Sequence, residues 1–373
     1  MLKKAAAMFL LCASMAISIG CATRSDRFLY AAIPDENQIN AYREDPNAGV
    51  LDQLTVSPIT AGQGVRALAI HPSNKFLYAA NAFEDDVSLY NTSSSGALTE
   101  VTPRTPTGTT PSLVVVDSAG QYLYVSNLAS NNISSFKIDP GTGKLSCVSP
   151  SSPTPPCPAY AIGSGALNMK VSPSGNFLYV SVAVGVAGST GSIEVWPLVN
   201  GALTPGTSGE FPQVVPAGTS PYGMAIAPSG NYLYVSNFAD NSISEYMINS
   251  DGSLQPNGTV GAGLGILSAP VNLLVNNAGT YLYVANETGS TVVTYAIDST
   301  NGSLSLIPID YATAANGTPY FLAMDASGNY VFVGNNSNPQ IESFSVDANT
   351  GGLTSVASYP QGGSAATSIV LTP

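Results

Sequence analysis

Charged residues, histidine and tryptophan are all scarce in this sequence. Charged side chains make up 9% of the 373 residues, and there is one histidine and one tryptophan. This charge content is low for a cytosolic enzyme with a solvated helical surface, and it favours an exported all-β protein. With His71 as the only histidine, no zinc site is expected, and any acid–base mechanism based on histidine must use that residue.

The N-terminus has the pattern of an export signal. Two lysines precede an apolar run over residues 5–19, which is too short to span a bilayer. The run ends in Ser-Ile-Gly-Cys at 18–21, which resembles the lipobox of bacterial lipoproteins, where cleavage exposes a cysteine for lipidation. We therefore predict a signal peptide over 1–20, a lipidated tether over 21–25, and attachment to a membrane of the bacterial cell envelope, on the periplasmic or outer-membrane side. Ordinary secretion with Cys21 unmodified is the alternative.

Basic residues are few and end early. Lys170 is the last of 11 Lys and Arg residues, and none occurs over residues 171–373. Removal of Lys3 and Lys4 with the signal peptide would leave nine of them against 23 acidic residues. This balance excludes nucleic acid as a partner, because its phosphates require a basic surface.

The cysteines predict one disulfide. Cys147 and Cys157 flank a Pro-rich stretch, whereas Cys12 and Cys21 belong to the signal peptide and its cleavage site. In an oxidising compartment the first pair is expected to close a short loop. Two free thiols are the alternative.

The most informative pattern is a strand motif that recurs seven times. Its copies, such as FLYAAN and YLYVSN, start 46 to 55 residues apart at Phe28, Phe76, Tyr122, Phe177, Tyr232, Tyr281 and Tyr330. Each copy has the aromatic and β-branched residues of a strand, bounded by Gly, Asn and Pro. A period near 50 residues with four short strands per copy is typical of a propeller blade. The sequence therefore predicts one all-β domain over 26–373, a seven-bladed β-propeller with four-stranded blades, and a monomer.

The two ends of the repeat are complementary. No first strand precedes Phe28, and an additional strand occurs at the other end, at Ser368–Leu371. We predict that this C-terminal strand completes blade one and closes the ring, which leaves no open sheet edge.

One end of the propeller is predicted to bind a ligand. The loops between the second and third strands share this end with the connections to the next blade, and its side chains are mainly acidic. The candidate ligand residues are Glu84, Asp85, Asp86, Asp240, Tyr222, Asn272 and Tyr320. The expected ligand is a small molecule, a glycan or a protein.

Other polar residues have competing interpretations. His71 occupies a turn position where other blades have Asp, Asn, Ser or Ala, which indicates a structural role. Lys170 lies on the predicted inner strand of blade four and needs a carboxylate partner or a ligand, with an ion pair favoured. Asparagines that recur at the end of five of the second strands could bind calcium, although turn hydrogen bonds explain them more simply. They are Asn81, Asn127, Asn237, Asn286 and Asn335. No other cofactor is expected.

The repeat resembles a known family. Gly-Thr-Ser-Pro at 218–221, followed by AIAPSGNYLYVSNFADNSISEY, is similar to the seven-bladed lactonase-like and YVTN-repeat propellers. Branches of that family resemble 6-phosphogluconolactonase and muconate cycloisomerase. In those branches a Pro-Arg-His cluster precedes a His-Pro turn, and an Asn-Glu pair follows the second strand.

This sequence departs from the family pattern. Blade two retains Arg66 but has Ala67 in place of the histidine and Ala82 in place of the glutamate. An Asn-Glu pair recurs at Asn286 and Glu287, in blade six and therefore elsewhere in the ring. We therefore predict that the family's acid–base residues do not carry over.

The sequence favours a lipid-anchored binding or scaffold module. The alternative is a lactone hydrolase that acts on a neutral lactone or a sugar derivative, because an acidic face disfavours a phosphorylated substrate. No catalytic residue is assigned, and the fallback candidates for that alternative are Arg66, His71, Lys170 and Glu287.

Overall fold

Seven antiparallel sheets form the protein. The computed structural model describes residues 26–148, 155, 157–184, 190–204, 212–261, 267–312 and 317–373. Within these residues each sheet has four or five strands. The innermost strands contact one another in a closed ring, so the predicted seven-bladed propeller is confirmed. The predicted signal peptide and lipidated tether lie outside the described residues.

The strands follow the blades in chain order. Blades one to three contain β1 (Arg27–Ile33), β2 (Gln38–Asp45), β3 (Val50–Gln53) and β4 (Ile59–Thr60); β5 (Val65–Ile70), β6 (Phe76–Asn81), β7 (Asp86–Thr92) and β8 (Leu98–Pro106); and β9 (Pro111–Val116), β10 (Tyr122–Asn127), β11 (Asn132–Ile138), β12 (Leu145–Cys147) and β13 (Ala159–Ala161). Blades four and five contain β14 (Ser164–Val171), β15 (Phe177–Val184), β16 (Thr190–Val199), β17 (Ala202–Leu203) and β18 (Gln213–Pro216); and β19 (Pro221–Ile226), β20 (Tyr232–Asn237), β21 (Ser242–Ile248) and β22 (Leu254–Val260). Blades six and seven contain β23 (Pro270–Val275), β24 (Tyr281–Asn286), β25 (Thr291–Ile297) and β26 (Leu304–Ala312); and β27 (Pro319–Met324), β28 (Tyr330–Asn335), β29 (Gln340–Val346) and β30 (Leu353–Pro360).

The last strand, β31 (Ser368–Leu371), closes the ring. It pairs antiparallel with β1, with Leu29 opposite Leu371 and Ala32 opposite Ser368. The Phe28 N–H also donates to the Thr372 hydroxyl at 2.9 Å. The predicted completion of blade one by the C-terminal strand is therefore confirmed.

Helix is almost absent from the described residues. A single 3-10 turn, Pro34–Glu36, follows β1. In this part of the chain no helix has the length and apolar character needed to cross a membrane.

The recurring tyrosines of the second strands join neighbouring blades. Their rings are buried, and several hydroxyls donate to the carbonyl of a glycine in the outer turn of the next blade at 2.8–3.0 Å. These pairs are Tyr30 and Gly96, Tyr78 and Gly143, Tyr179 and Gly252, and Tyr234 and Gly302. Each tyrosine therefore buries its ring and satisfies its polar end at one blade interface.

The outer-turn glycines are required by both conformation and space. Gly143 has a φ of +70°, and a Cβ built there would lie 2.6 Å from the ring of Phe76 in the preceding blade. A side chain would be strained by the backbone and would also overlap the aromatic ring. The spacing of aromatic residue and glycine in the repeat therefore sets the blade interface.

The disulfide lies in blade three. Cys147, at the end of β12, is bonded to Cys157, so the predicted pairing is confirmed.

Candidate functional site

The inner strands surround a central channel of about 690 Å³. We call one end of it the top mouth, where the loops after the second strands meet the connections that enter each blade. The Ala82 N–H donates to the Gly64 carbonyl at 3.0 Å, and the Phe238 N–H donates to the Ser220 carbonyl at 2.9 Å. The two sets of loops therefore share one face, as the sequence predicts.

A pair of tyrosines spans blade six at the top mouth. Tyr222 on β19 and Tyr320 on β27 belong to blades five and seven, and their hydroxyls are hydrogen-bonded to each other. Their ring centroids lie 6.0 Å apart in an edge-to-face arrangement. Both rings pack against the cluster that contains the buried Val271 of β23, and Phe238 packs against Tyr222 with centroids 6.1 Å apart. The pair therefore has a fixed position on an apolar base.

Glu287 and Arg66 lie within electrostatic reach of this pair. Burial raises the pKa of Tyr320 well above its usual range, the Tyr222 hydroxyl and the Glu287 carboxylate raise it further, and the Arg66 guanidinium lowers it. Arg66 is in blade two and Glu287 is in blade six, yet both act on one hydroxyl. Arg66 and Glu287 come from different blades, as the sequence indicates, and both lie at the top end of their blades.

Glu287 is a partly buried carboxylate without a polar side-chain or backbone partner among the described residues. It follows β24, and burial raises its pKa above the usual range of a glutamate. Arg66 is exposed and has no acidic partner within ion-pair distance in the same part of the chain. Arg66, Tyr222 and Tyr320 line the channel, whereas Glu287 is not among the lining residues and lies within electrostatic range of Tyr320. The top mouth therefore offers a nearby carboxylate of raised pKa, a hydrogen-bonded pair of hydroxyls in which one donates to the other, and one cation without an acidic partner among the described residues. Such groups can activate water and stabilise an oxyanion.

The repeat contains a signal that locates this cluster. Arg66, Tyr222 and Tyr320 occupy the same position of their inner strands, and Glu287 occupies the position held by Phe238 in blade five. Residues at equivalent repeat positions lie at the same height around the channel. Alignment of the inner strands residue by residue groups Arg66, Tyr222 and Tyr320. Glu287 lies at the same end because each second strand ends opposite the start of its inner strand, as Asn286 lies opposite Pro270.

The acidic residues of the predicted ligand face are engaged elsewhere. Glu84 accepts a backbone N–H at 2.8 Å and pairs with Arg104, which also lies 4.0 Å from Asp86. Asp85 and Asp240 accept backbone N–H groups of inter-blade connections at 2.7 and 2.5 Å. Arg104 is not among the residues predicted for this face, and it neutralises part of its acidic charge. These four carboxylates cap loops and are absent from the channel lining, whereas Tyr222, Asn272 and Tyr320 line it.

Lys170 also lines the channel, further from the top mouth. It is on β14, and burial lowers the pKa of its amine. No carboxylate lies within ion-pair distance in the described part of the chain. The ion pair favoured for Lys170 is thus not found there.

His71 lies at the opposite end of the blades. Its Nδ1 accepts the Ser73 N–H at 3.0 Å, and its Nε2 lies 2.9 Å from the Gly120 carbonyl of the next blade. Its ring also packs edge-on against Phe76 with centroids 5.6 Å apart. These contacts are those of a turn residue that joins two blades, and they are remote from the cluster at the top mouth.

The side chains of the recurring asparagines form hydrogen bonds within their own blades. The Asn81 amide donates to Asp86 at 2.7 Å and to Ser88 at 2.9 Å, and the Asn237 amide donates to third-strand serines. Among the described residues no three His, Cys, Asp or Glu side chains are grouped as metal ligands.

Comparison with known sequences identifies the family. The profile described as "Lactonase, 7-bladed beta-propeller" matches residues 22–158, 161–314 and 272–370. The chain belongs to this lactonase family. The resemblance inferred from the repeat motifs is therefore confirmed.

Proteins similar to this chain match it over different extents. A 6-phosphogluconolactonase from Pectobacterium carotovorum is 26% identical over 152 residues, which are 39% of this chain and 43% of that protein. The alignment thus spans less than half of the relative. A candidate 6-phosphogluconolactonase from Bacteroides fragilis superposes with a TM-score of 0.77 at 19% identity, over 94% of this chain and 99% of that one.

A periplasmic gluconolactonase from Pseudomonas aeruginosa superposes with a TM-score of 0.74 at 18% identity, also over 94% and 99% of the two chains. At this identity the superpositions show the fold alone. The family match and the name of the Pectobacterium relative fit the lactone-hydrolase alternative better than the binding-module interpretation.

Proposed function

We propose that this protein is a lactone hydrolase whose active site is the top mouth of the channel. The observation that carries the proposal is the hydrogen-bonded pair of Tyr222 and Tyr320 at the channel mouth, with the partly buried Glu287 carboxylate, which has no partner among the described residues, within electrostatic range of Tyr320. The names of the relatives point to the same class of substrate.

Hydrolysis at this site uses Glu287 as the general base. The carboxylate accepts a proton from water as the water oxygen attacks the lactone carbonyl. A tyrosine hydroxyl donates to the oxyanion that forms, and the Arg66 charge stabilises it. When the intermediate collapses, the bond from the carbonyl carbon to the ring oxygen breaks. Glu287 then returns its proton to that oxygen, and the product is a hydroxy acid.

The mouth favours an uncharged lactone. Arg66 is its only unpaired cation among the described residues, and it is assigned to the oxyanion. A phosphate dianion would need further cationic or N–H donors. We therefore propose a neutral sugar lactone as the substrate class, and we expect glucono-δ-lactone to be hydrolysed faster than 6-phosphogluconolactone.

Glu287→Gln tests the assignment directly. After the spontaneous rate of hydrolysis is subtracted, removal of the base should lower kcat for glucono-δ-lactone by about 10²-fold or more. Glu36→Gln is the matched control, because it makes the same change at an exposed position on the same face. If the Glu287→Gln variant retains the wild-type rate, Glu287 is not the general base. If the wild-type protein hydrolyses no lactone, the binding-module interpretation is favoured instead.

We further propose that the protein works outside the cytoplasm, anchored through Cys21. The lipobox-like segment and the disulfide support this location, since disulfides persist in oxidising compartments. Cys21→Ser should move the protein from the membrane fraction to the soluble fraction. An unchanged distribution contradicts the anchor.

A further inference from the structure

The level of the channel that contains Lys170 is otherwise apolar. The equivalent inner-strand residues of the other blades are Ala69, Val115, Ala225, Leu274, Ala323 and Val370. Lys170 is partly accessible and lines the channel, so the accessible part of its side chain meets the space in the centre of the ring. A single amine therefore interrupts an apolar wall.

This amine is separate from the cluster at the top mouth. In blade four the position equivalent to Arg66 and Tyr222 is Leu167, three residues before Lys170 on β14. At about 3.3 Å per residue, the Lys170 backbone lies about 10 Å further down the channel than the level of Arg66. A ligand group at Lys170 is thus distinct from a lactone carbonyl at the mouth.

We propose that Lys170 forms an anion subsite inside the channel that binds the carboxylate of a small organic acid. An ammonium on an otherwise apolar channel wall favours an opposite charge, and the described residues supply no carboxylate to it. One amine matches the single charge of a carboxylate, whereas a phosphate dianion is usually bound by several donors. The channel volume of about 690 Å³ accommodates an acid of sugar size.

Binding at this subsite should be coupled to proton uptake. Burial lowers the pKa of the Lys170 amine, so the free amine loses its proton at a lower pH than an exposed lysine does. A bound carboxylate favours the ammonium form, and binding at a pH where the free amine has lost its proton therefore draws a proton from solution. The subsite does not depend on catalysis at the mouth, because neither Glu287 nor the tyrosine pair takes part in it.

Titration calorimetry with sodium gluconate tests the subsite. Glu287→Gln, which lacks the proposed base, should bind gluconate as the wild type does, so a failure of the lactonase proposal leaves this result intact. As the pH rises from 6 to 10, the apparent binding enthalpy should come to depend on the heat of ionisation of the buffer, because binding then takes up a proton that the buffer supplies. Sorbitol, an uncharged polyol of similar size, should bind at least tenfold more weakly than gluconate.

Lys170→Met should reduce gluconate affinity at least tenfold and abolish the buffer dependence. Lys137→Met, at an exposed position on β11, is the matched control and should bind as the wild type does. If Lys170→Met does not fold, the pH dependence of gluconate binding by the wild-type protein still tests the subsite. Its gluconate affinity should fall as the pH rises from 6 to 10, because the Lys170 amine loses its charge.

Several results would overturn the subsite. They are absence of gluconate binding, equal binding by Lys170→Met, an affinity that stays the same from pH 6 to pH 10, and a binding enthalpy that is independent of the buffer over that whole range. Inorganic phosphate that binds as tightly as gluconate and depends on Lys170 would overturn the assignment to carboxylates.

Discussion

Replacement of Glu44 by glutamine should stabilise the protein at alkaline pH. Glu44 is on β2, its side chain is 2% exposed, and neither of its carboxylate oxygens has a hydrogen-bond partner among the described residues. It lies near the seam between blades seven and one, where Arg27 pairs with the buried Asp325 at 2.8 Å. Ionisation of Glu44 destabilises the folded protein, because the charge is buried and the nearby Arg27 is already paired with Asp325.

Burial is the main cause that raises the pKa of Glu44, from 4.5 to about 7. Asp325 and Asp45 raise it further, and Arg27 lowers it. The folded protein therefore binds this proton more tightly than the unfolded chain does. The stabilising contribution is complete below pH 4.5 and is lost as the pH rises to about 7, which at about 1.4 kcal/mol per pH unit amounts to about 3 kcal/mol.

Glu44→Gln resembles the protonated acid and cannot ionise. It should increase the free energy of unfolding at pH 8 by about 1 to 3 kcal/mol, the lower figure allowing for an unsatisfied buried amide. At pH 4.5 the two proteins should be nearly equal. Thermal melts at pH 4.5, 6 and 8 measure the difference, with the exposed Asp52→Asn on β3 as the control. A Glu44→Gln protein that melts at or below the wild type at pH 8 refutes the reasoning.

Three further perturbations test ring closure, the blade interface and the active site. Deletion of residues 366–373 removes β31 and exposes the β1 edge, so the melting temperature should fall by about 10 °C or more; unchanged calorimetric melting would show that closure is dispensable. Gly143→Ala should lower the free energy of unfolding by about 1 to 3 kcal/mol more than Gly175→Ala, since both have positive φ but only Gly143 has an aromatic ring in the way. Equal urea midpoints for the two variants would contradict the predicted steric overlap between a side chain at position 143 and the ring of Phe76. Tyr320→Phe should reduce kcat for glucono-δ-lactone about tenfold or more while leaving the fold intact, and an unchanged kcat excludes this hydroxyl as an oxyanion donor.

The sequence by itself determined the architecture, because each feature involved is local and repeated. An alternating strand with an aromatic start, a turn of Ser, Gly and Asn, and a glycine at the outer turn are sufficient to predict one blade. The missing first strand before Phe28 and the additional strand at Ser368–Leu371 then determined how the ring closes. The disulfide followed in the same way, since Cys147 and Cys157 are close in the chain.

Only the tertiary structure decided which polar residues act together, because charge interactions depend on distances between blades rather than on spacing in the chain. Ring closure brings Arg66 of blade two and Glu287 of blade six within reach of one tyrosine hydroxyl. The same packing places Arg104 among the loop carboxylates, which are then occupied, and leaves Lys170 in the channel without a carboxylate partner among the described residues.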